Sequence, residues 1–293
     1  MAISNALAPI EVDKGSFPRV AVAFGGGGAR GLAHIHIIEA LDELGIRPVA
    51  ISGSSIGAIM GAGWAAGMSG AEIRDYTVAT LGNRNEVVSR IWKMRPMTMK
   101  DAMNGGFRFG QFNLERILKG FLPEAIPDDF SELQIPLHIT ATDYYGQRGV
   151  LIDEGDLYTA IAASAALPAV FRPVSLNDRY MIDGGIYNPV PYECLMDKAD
   201  VVIAIDVIGG PEGDGETMPN RIDSLFGASQ LMMQSIIEAK MQFSRPHLML
   251  KPDVHRFRVL DFLRVNEVLE ASAGVKDQLK TDLDALLAFR EKA

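Results

Sequence analysis

Residues 19–24, RVAVAF, form a short apolar run that ends in the four glycines Gly25 to Gly28. A run of this length closed by glycines predicts a buried strand followed by a loop. Past the loop the period changes. Ile37, Ile38, Leu41 and Leu44 share one helical face, Glu39, Asp42 and Glu43 lie off it, and Gly45 stands where a C-cap belongs. The next run, 48–52, turns at Gly53 to Ser55 into a second helix rich in small residues. Two strands joined through a helix make a βαβ unit, with a right-handed crossover and a parallel sheet. Further strands are predicted at 136–143, 149–152, 179–182, 201–207 and 247–251, and an amphipathic helix over 261–291 with a break near Gly274. The pattern excludes all-α and all-β folds. With no internal repeat and no linker, 1–293 is read as a single α/β domain.

Composition narrows the function. Apolar residues make up 48% of the chain and charged residues 22%, so a packed core is available. The net charge of −9 argues against nucleic acid as a partner, because that needs a basic field. A single cysteine, Cys194, and five scattered histidines leave no internal disulfide and no metal-ligand spacing. The N-terminus lacks the basic and apolar regions of a signal peptide, which points to a cytoplasmic protein. Pro48 to Ala71 carries no charge and is long enough to span a bilayer. Its few large apolar residues, and the Gly and Ser at its start, favour a buried strand, turn and helix instead.

Two glycine motifs carry the candidate chemistry. Gly26, Gly28 and Gly31 fit G-x-G-x-x-G between strand and helix, the context of a dinucleotide loop. The second strand, however, runs into Ser52 to Ser55 and offers no acidic residue for a ribose, and the lysine of a phosphate-binding loop is absent. What remains is a row of N–H groups at a helix N-terminus, which can hold an oxyanion. Gly53 to Gly57 is G-x-S-x-G at a strand-to-helix junction, the context of a nucleophile elbow centred on Ser55. A small-residue turn that only lets helix and strand pack closely is the structural alternative. Both loops are expected at the carboxyl ends of adjacent parallel strands, facing one crevice.

In these blocks the chain resembles the patatin-like phospholipases. The family pattern is G-G-G-x-[RK]-G, G-x-S-x-G and D-G-[GA], matched by Gly26 to Gly31, Gly53 to Gly57 and Asp183-Gly184-Gly185. Ala163 to Pro168 is similar to a further block of bacterial members. The resemblance implies a three-layer α/β/α fold with a mostly parallel central sheet. It also implies hydrolysis of lipid acyl esters, of phospholipid or lysophospholipid, by a Ser55/Asp183 dyad. Gly26, Gly27 and Gly28 would supply the oxyanion hole, and no cofactor or metal is implied.

A serine needs a base within hydrogen-bond reach. His34 lies on the apolar face with Ile37, Ile38 and Leu41 and reads as a buried support for a nearby loop. His36 falls on another face and is expected to be exposed. His138 sits within a strand, and His247 and His255 lie beyond the motifs. Asp143 and Asp206 also end apolar runs, but only Asp183 stands in the family block. Arg30 is expected to orient the glycine loop, with a surface arginine as the alternative. Two rival functions remain open: an α/β-hydrolase esterase with a Ser-Asp-His triad, and a non-catalytic lipid sensor. Between Arg84 and Lys119 eight basic residues face three acidic ones, a local charge of +5, interleaved with Trp92, Phe107 and several methionines. This segment reads either as a cap on the core or as a lid that contacts anionic membrane.

Overall fold

The computed structural model describes residues 18–85, 87, 114–211 and 216–290. Of the 84–119 segment, positions 86 and 88–113 lie outside the described residues, so the lid expectation falls largely outside them as well. The strands are β1 (Val20–Phe24), β2 (Ala50–Ser54), β3 (Leu137–Asp143), β4 (Arg148–Ile152), β5 (Val174–Leu176), β6 (Arg179–Asp183), β7 (Val201–Ile205) and β8 (Leu248–Leu250). The helices are α1 (His34–Glu43), α2 (Ile56–Ala65), α3 (Gly70–Leu81), α4 (Leu114–Phe121) and α5 (Leu157–Ser164). They continue with α6 (Arg221–Phe243), α7 (Val265–Ser272) and α8 (Val275–Arg290).

All eight strands join one sheet in the order β5-β6-β3-β2-β1-β7-β8, with β4 paired to β3. The pairs β1–β2, β1–β7, β2–β3 and β7–β8 are parallel, and β4, β5 and β6 run antiparallel to their neighbours. The central strands are buried on both faces, as their unbroken apolar runs require. Their side chains divide with period two. Val20, Val22 and Phe24 enter the larger core with α1, α2, α5, α7 and α8, while Ala21 and Ala23 face a smaller core with Val190, Tyr192 and Met233. Helices therefore cover both faces, giving the three layers expected. Among the described residues no helix is long and apolar enough to cross a membrane. Pro48 to Ala71 resolves into β2, the elbow, α2 and the start of α3.

One feature of the register brings distant residues together. β2 pairs with β3 through Ser54↔Thr140 and then leaves the sheet. β4 lines the opposite edge of β3 over Ile139 to Asp143, overlapping β2 only at Ile139 and Thr140. The edge that β2 vacates is taken by β6, which begins its pairing at Ala141↔Asp183. The end of β6 thus abuts the turn at the end of β2.

Several details differ from the sequence expectation. The turn after the glycine loop is a 3-10 helix over Gly28–Ala33, and His34 opens α1 directly after it. His36 is buried, not exposed, because α3 and α7 pack over α1. Its Nε2 lies 2.8 Å from the Leu269 carbonyl, and its Nδ1 lies 3.1 Å from Arg74 Nη2. β5 and the helices α3, α4, α5 and α6 were not anticipated. α3 has a clear local signal, a capping box in which Ser69 accepts from the Glu72 N–H and the Glu72 carboxylate accepts from the Ser69 N–H.

Candidate active site

β1 and β2 both end at the same side of the sheet and release the two glycine motifs there. Ser55 caps α2 with φ 53° and ψ −120°, a conformation that side-chain-bearing residues rarely adopt and that costs about 1–3 kcal/mol. Its neighbour Gly57 has to be a glycine, since a Cβ there would lie 2.2 Å from the Phe24 carbonyl oxygen. The Ser55 N–H donates to Ser164 Oγ at 2.8 Å, from the last residue of α5. The Ala163–Pro168 block therefore reaches the elbow, a contact that its sequence did not announce.

The Ser55 hydroxyl donates to Asp183 Oδ2 at 2.7 Å. Asp183 Oδ1 accepts the Gly185 N–H at 2.8 Å, and the Asp183 carbonyl accepts from Thr142 Oγ1 at 2.9 Å. Both carboxylate oxygens are thus fixed. Burial raises the Asp183 pKa to about 6, and the hydrogen bonds from Ser55 and Gly185 oppose that rise.

None of the five histidines bonds to Ser55 or Asp183, so no Ser-Asp-His arrangement forms. His34 Nε2 lies 2.8 Å from the Gly25 carbonyl, which can only accept, so Nε2 carries the proton. Burial lowers the His34 pKa to about 4 and keeps the ring neutral. The ring thus holds the start of the glycine loop at Gly25. His138 faces Asp153, and His247 Nδ1 accepts the Val202 N–H.

The glycine loop is held from three sides. Gly26 N–H donates to the Pro189 carbonyl at 2.9 Å and Ala29 N–H to the Val259 carbonyl at 2.8 Å. This corrects the expectation that Gly26 offers an oxyanion donor, because its N–H is already used. The N–H groups of Gly27 and Gly28 find no acceptor among the described residues. Gly28 adopts φ +60°, and a Cβ there would lie 2.2 Å from the Val259 carbonyl oxygen. Arg30 is a buried clamp, not a surface residue. Its Nη1 donates to the Ile208 carbonyl.

Ser55, Asp183 and Gly26 to Gly28 border a cavity of about 440 Å³. Its walls are largely apolar, with Ile56, Ile59 and Met60 from α2, Leu118 from α4, and Phe226 and Met233 from α6. Ser55 on its strained turn, the buried Asp183 carboxylate bonded to it and the glycine loop all line this apolar space.

These features define an α/β protein whose G-x-S-x-G turn and Asp183 meet at the carboxyl end of a mostly parallel sheet. The chain belongs to the patatin-like phospholipase family, whose profile matches residues 22–196. It is 34% identical over 213 residues to an uncharacterized NTE family protein of Mycobacterium tuberculosis, covering 71% of this chain and 55% of that one. The chain thus spans about half the length of that relative. It is 29% identical over 214 residues to Lysophospholipase NTE1 of Yarrowia lipolytica, covering 71% of this chain and 14% of that protein. Among solved structures it is similar to VipD from Legionella pneumophila, with 14% identity, coverage of 88% and 66% of the two chains, and a TM-score of 0.45.

Proposed function

We propose that the protein is a serine acyl hydrolase of lipid esters that works through Ser55 and Asp183. The observation that carries this reading is the 2.7 Å hydrogen bond from a strained serine to a buried carboxylate at the end of an apolar cavity. Ser55 Oγ attacks the ester carbonyl carbon while Asp183 takes its proton. The N–H groups of Gly27 and Gly28 hold the negative oxygen of the tetrahedral intermediate. As the intermediate collapses, the proton passes from Asp183 to the leaving alcohol, and Ser55 keeps the acyl group. Water then attacks the acyl-enzyme with Asp183 again as base, releasing the fatty acid and restoring Ser55.

A carboxylate with a pKa of about 6 suits this work, being ionised at neutral pH yet more basic than an exposed aspartate. The acyl chain would occupy the cavity, where each buried CH₂ contributes about 0.8 kcal/mol. Membership of the patatin-like phospholipase family supports a lipid ester as substrate, and the Yarrowia relative named a lysophospholipase supports a single-chain phospholipid.

Labelling with a fluorophosphonate probe tests the nucleophile, followed by hydrolysis of lysophospholipid, diacyl phospholipid and simple esters. The adduct is expected on Ser55, with Ser55→Ala losing on the order of 10⁶-fold in kcat. An adduct on the neighbouring Ser54, or hydrolysis surviving in Ser55→Ala, overturns the assignment.

A further inference from the structure

Gly27 and Gly28, whose N–H groups meet no acceptor among the described residues, stand between two anchored amides. The Gly26 N–H is held by the Pro189 carbonyl at 2.9 Å and the Ala29 N–H by the Val259 carbonyl at 2.8 Å. Where the two donors between them point therefore depends on where Pro189 stands. Pro189 belongs to the stretch Asn188-Pro189-Val190-Pro191, which follows the turn after Asp183 and lies in no strand. Its two prolines have no N–H to donate, so the stretch cannot complete a ladder of its own. Its place rests on what its carbonyls meet. The Pro189 carbonyl meets Gly26, and the Pro191 carbonyl accepts from Ser52 Oγ at 2.7 Å. The Val190 carbonyl between them, which also closes a turn with the Tyr192 N–H, accepts from Lys240 Nζ at 2.7 Å.

Lys240 lies on α6, outside the lining of the cavity, yet the three donors of its ammonium are all used on this segment. Besides Val190 they reach Asn188 Oδ1 at 2.6 Å and Glu193 Oε2 at 2.6 Å, and Nζ lies 4.5 Å from the centre of the Tyr192 ring. Asn188 Nδ2 in turn donates to Glu193 Oε1, which ties two of the acceptors to each other. Both chain neighbours of Pro189 are thus bonded to one cation. The Lys240 side chain is only 20% exposed, and a cation so far from water needs its acceptors in place, unlike an exposed surface pair. We infer that Lys240 is a positioning residue for the oxyanion loop: by fixing Asn188 and Val190 it places the Pro189 carbonyl, which holds Gly26 and so aims the Gly27 and Gly28 N–H groups. This rests on the hydrolase reading above and deepens it, since Lys240 acts on the reaction through the backbone alone. A pair that only joined a helix to a loop would contribute stability. A positioning pair contributes to kcat, because oxyanion donors work only at about 2.7–3.1 Å from where the negative oxygen will stand.

Lys240→Met keeps the stem and removes the donors. With a short soluble ester, kcat is expected to fall on the order of tenfold while KM stays within about twofold of wild type. The pH midpoint near 6 is expected to hold, because Asp183 keeps its own bonds. Combined with Gly28→Ala, Lys240→Met is expected to lose little beyond Gly28→Ala alone, since both act on one loop. Asn188→Ala removes one acceptor and leaves the cation. This milder variant is expected to lose about threefold in kcat with KM unchanged, and it decides the matter if Lys240→Met does not fold. Amide exchange read by NMR in the Ser55→Ala background needs no turnover. Exchange at Gly26 is expected to quicken by about tenfold or more in Lys240→Met, while Gly25, bonded to the Ile205 carbonyl, exchanges as before. Failure of the hydrolase reading would show in labelling and hydrolysis by the wild type and leave that exchange result standing. Unchanged kcat in the folded variants, a loss carried by KM, losses that multiply with Gly28→Ala, or unchanged exchange at Gly26 overturns the inference.

Discussion

Asp183→Asn separates catalysis from stability at a single oxygen. The carboxyl moves from 3.8 to about 6 on burial, which corresponds to about 3 kcal/mol of stability lost when the group ionises. Between those two values the folded state binds the proton more tightly than the unfolded chain. Stability therefore falls as pH rises from about 4 to 6, and the full penalty applies above that. Asparagine cannot ionise and escapes the penalty. Its one oxygen, however, cannot accept from both Gly185 and Ser55, and a lost hydrogen bond costs about 1 kcal/mol. A net gain of about 1–2 kcal/mol at neutral pH remains, or roughly 2–6 °C in Tm for a chain of this size. His34 works in the opposite sense. Its pKa falls from 6.5 to about 4, so its contribution is present above 6.5 and is lost as pH falls toward 4. That slope is common to both proteins and cancels in their difference. The assay is the melting temperature of variant and wild type from pH 4 to 8, with kcat/KM for a short ester alongside. The Tm difference is expected to be near zero or negative at pH 4 and positive by pH 7. Activity is expected to fall by on the order of 10⁴-fold. Wild-type kcat/KM should rise with pH through a midpoint near 6 and then level off. A Tm difference independent of pH, or turnover surviving in the variant, refutes the reasoning.

Ser164→Ala leaves the Ser55 N–H without its acceptor, and kcat for a short ester is expected to fall on the order of tenfold with the pH midpoint near 6 unmoved. A shifted midpoint would mean that Ser164 acts on Asp183 as well. Gly28→Ala drives a Cβ toward the Val259 carbonyl and disturbs the loop. Fluorophosphonate labelling and kcat are expected to drop by about 10²–10³-fold, and wild-type rates would remove Gly28 from the oxyanion site. Conversion of Lys93, Arg95 and Lys100 to Glu is expected to weaken hydrolysis on anionic vesicles in low salt, at about 1 kcal/mol per residue, and to spare a short soluble ester. Equal loss on both substrates would assign the segment to the fold.

The parts legible in the sequence are those made by neighbours in the chain. β1 with its glycine loop, and β2 with its elbow, are local patterns in which a short apolar run meets residues that only a turn accepts. Asp183 stood apart from Asp143 and Asp206, which also end apolar runs, only through the family block that holds it. The misreadings share one cause, a partner far away in sequence. Gly26 looked like a donor until the Pro189 carbonyl, delivered by the segment after β6, took its N–H. His36 looked solvent-facing because α7, which covers it, follows more than two hundred residues later. α6 offered no single period to read, because apolar residues recur all round it while Ser224, Ser235, Glu238 and Gln242 interrupt its outer face.

The meeting of Ser55 and Asp183 is itself a matter of sheet register. β3 is longer than β2, and the residues it projects past Ser54 form an edge that needs pairing. β6 supplies that pairing in the antiparallel sense, so its last residue, not its first, arrives beside the elbow. Side chains alternate along a strand, and a slip of one residue would send the carboxylate to the opposite face. Two contacts oppose such a slip: Thr142 Oγ1 bonds the Asp183 carbonyl, and the Asp183 N–H bonds the Ala166 carbonyl. The latter lies two residues from Ser164, which holds the Ser55 N–H. The end of α5 and the loop after it thus fix Ser55 and Asp183 together, and this gives the Ala163–Pro168 block a physical reason to accompany the other three motifs.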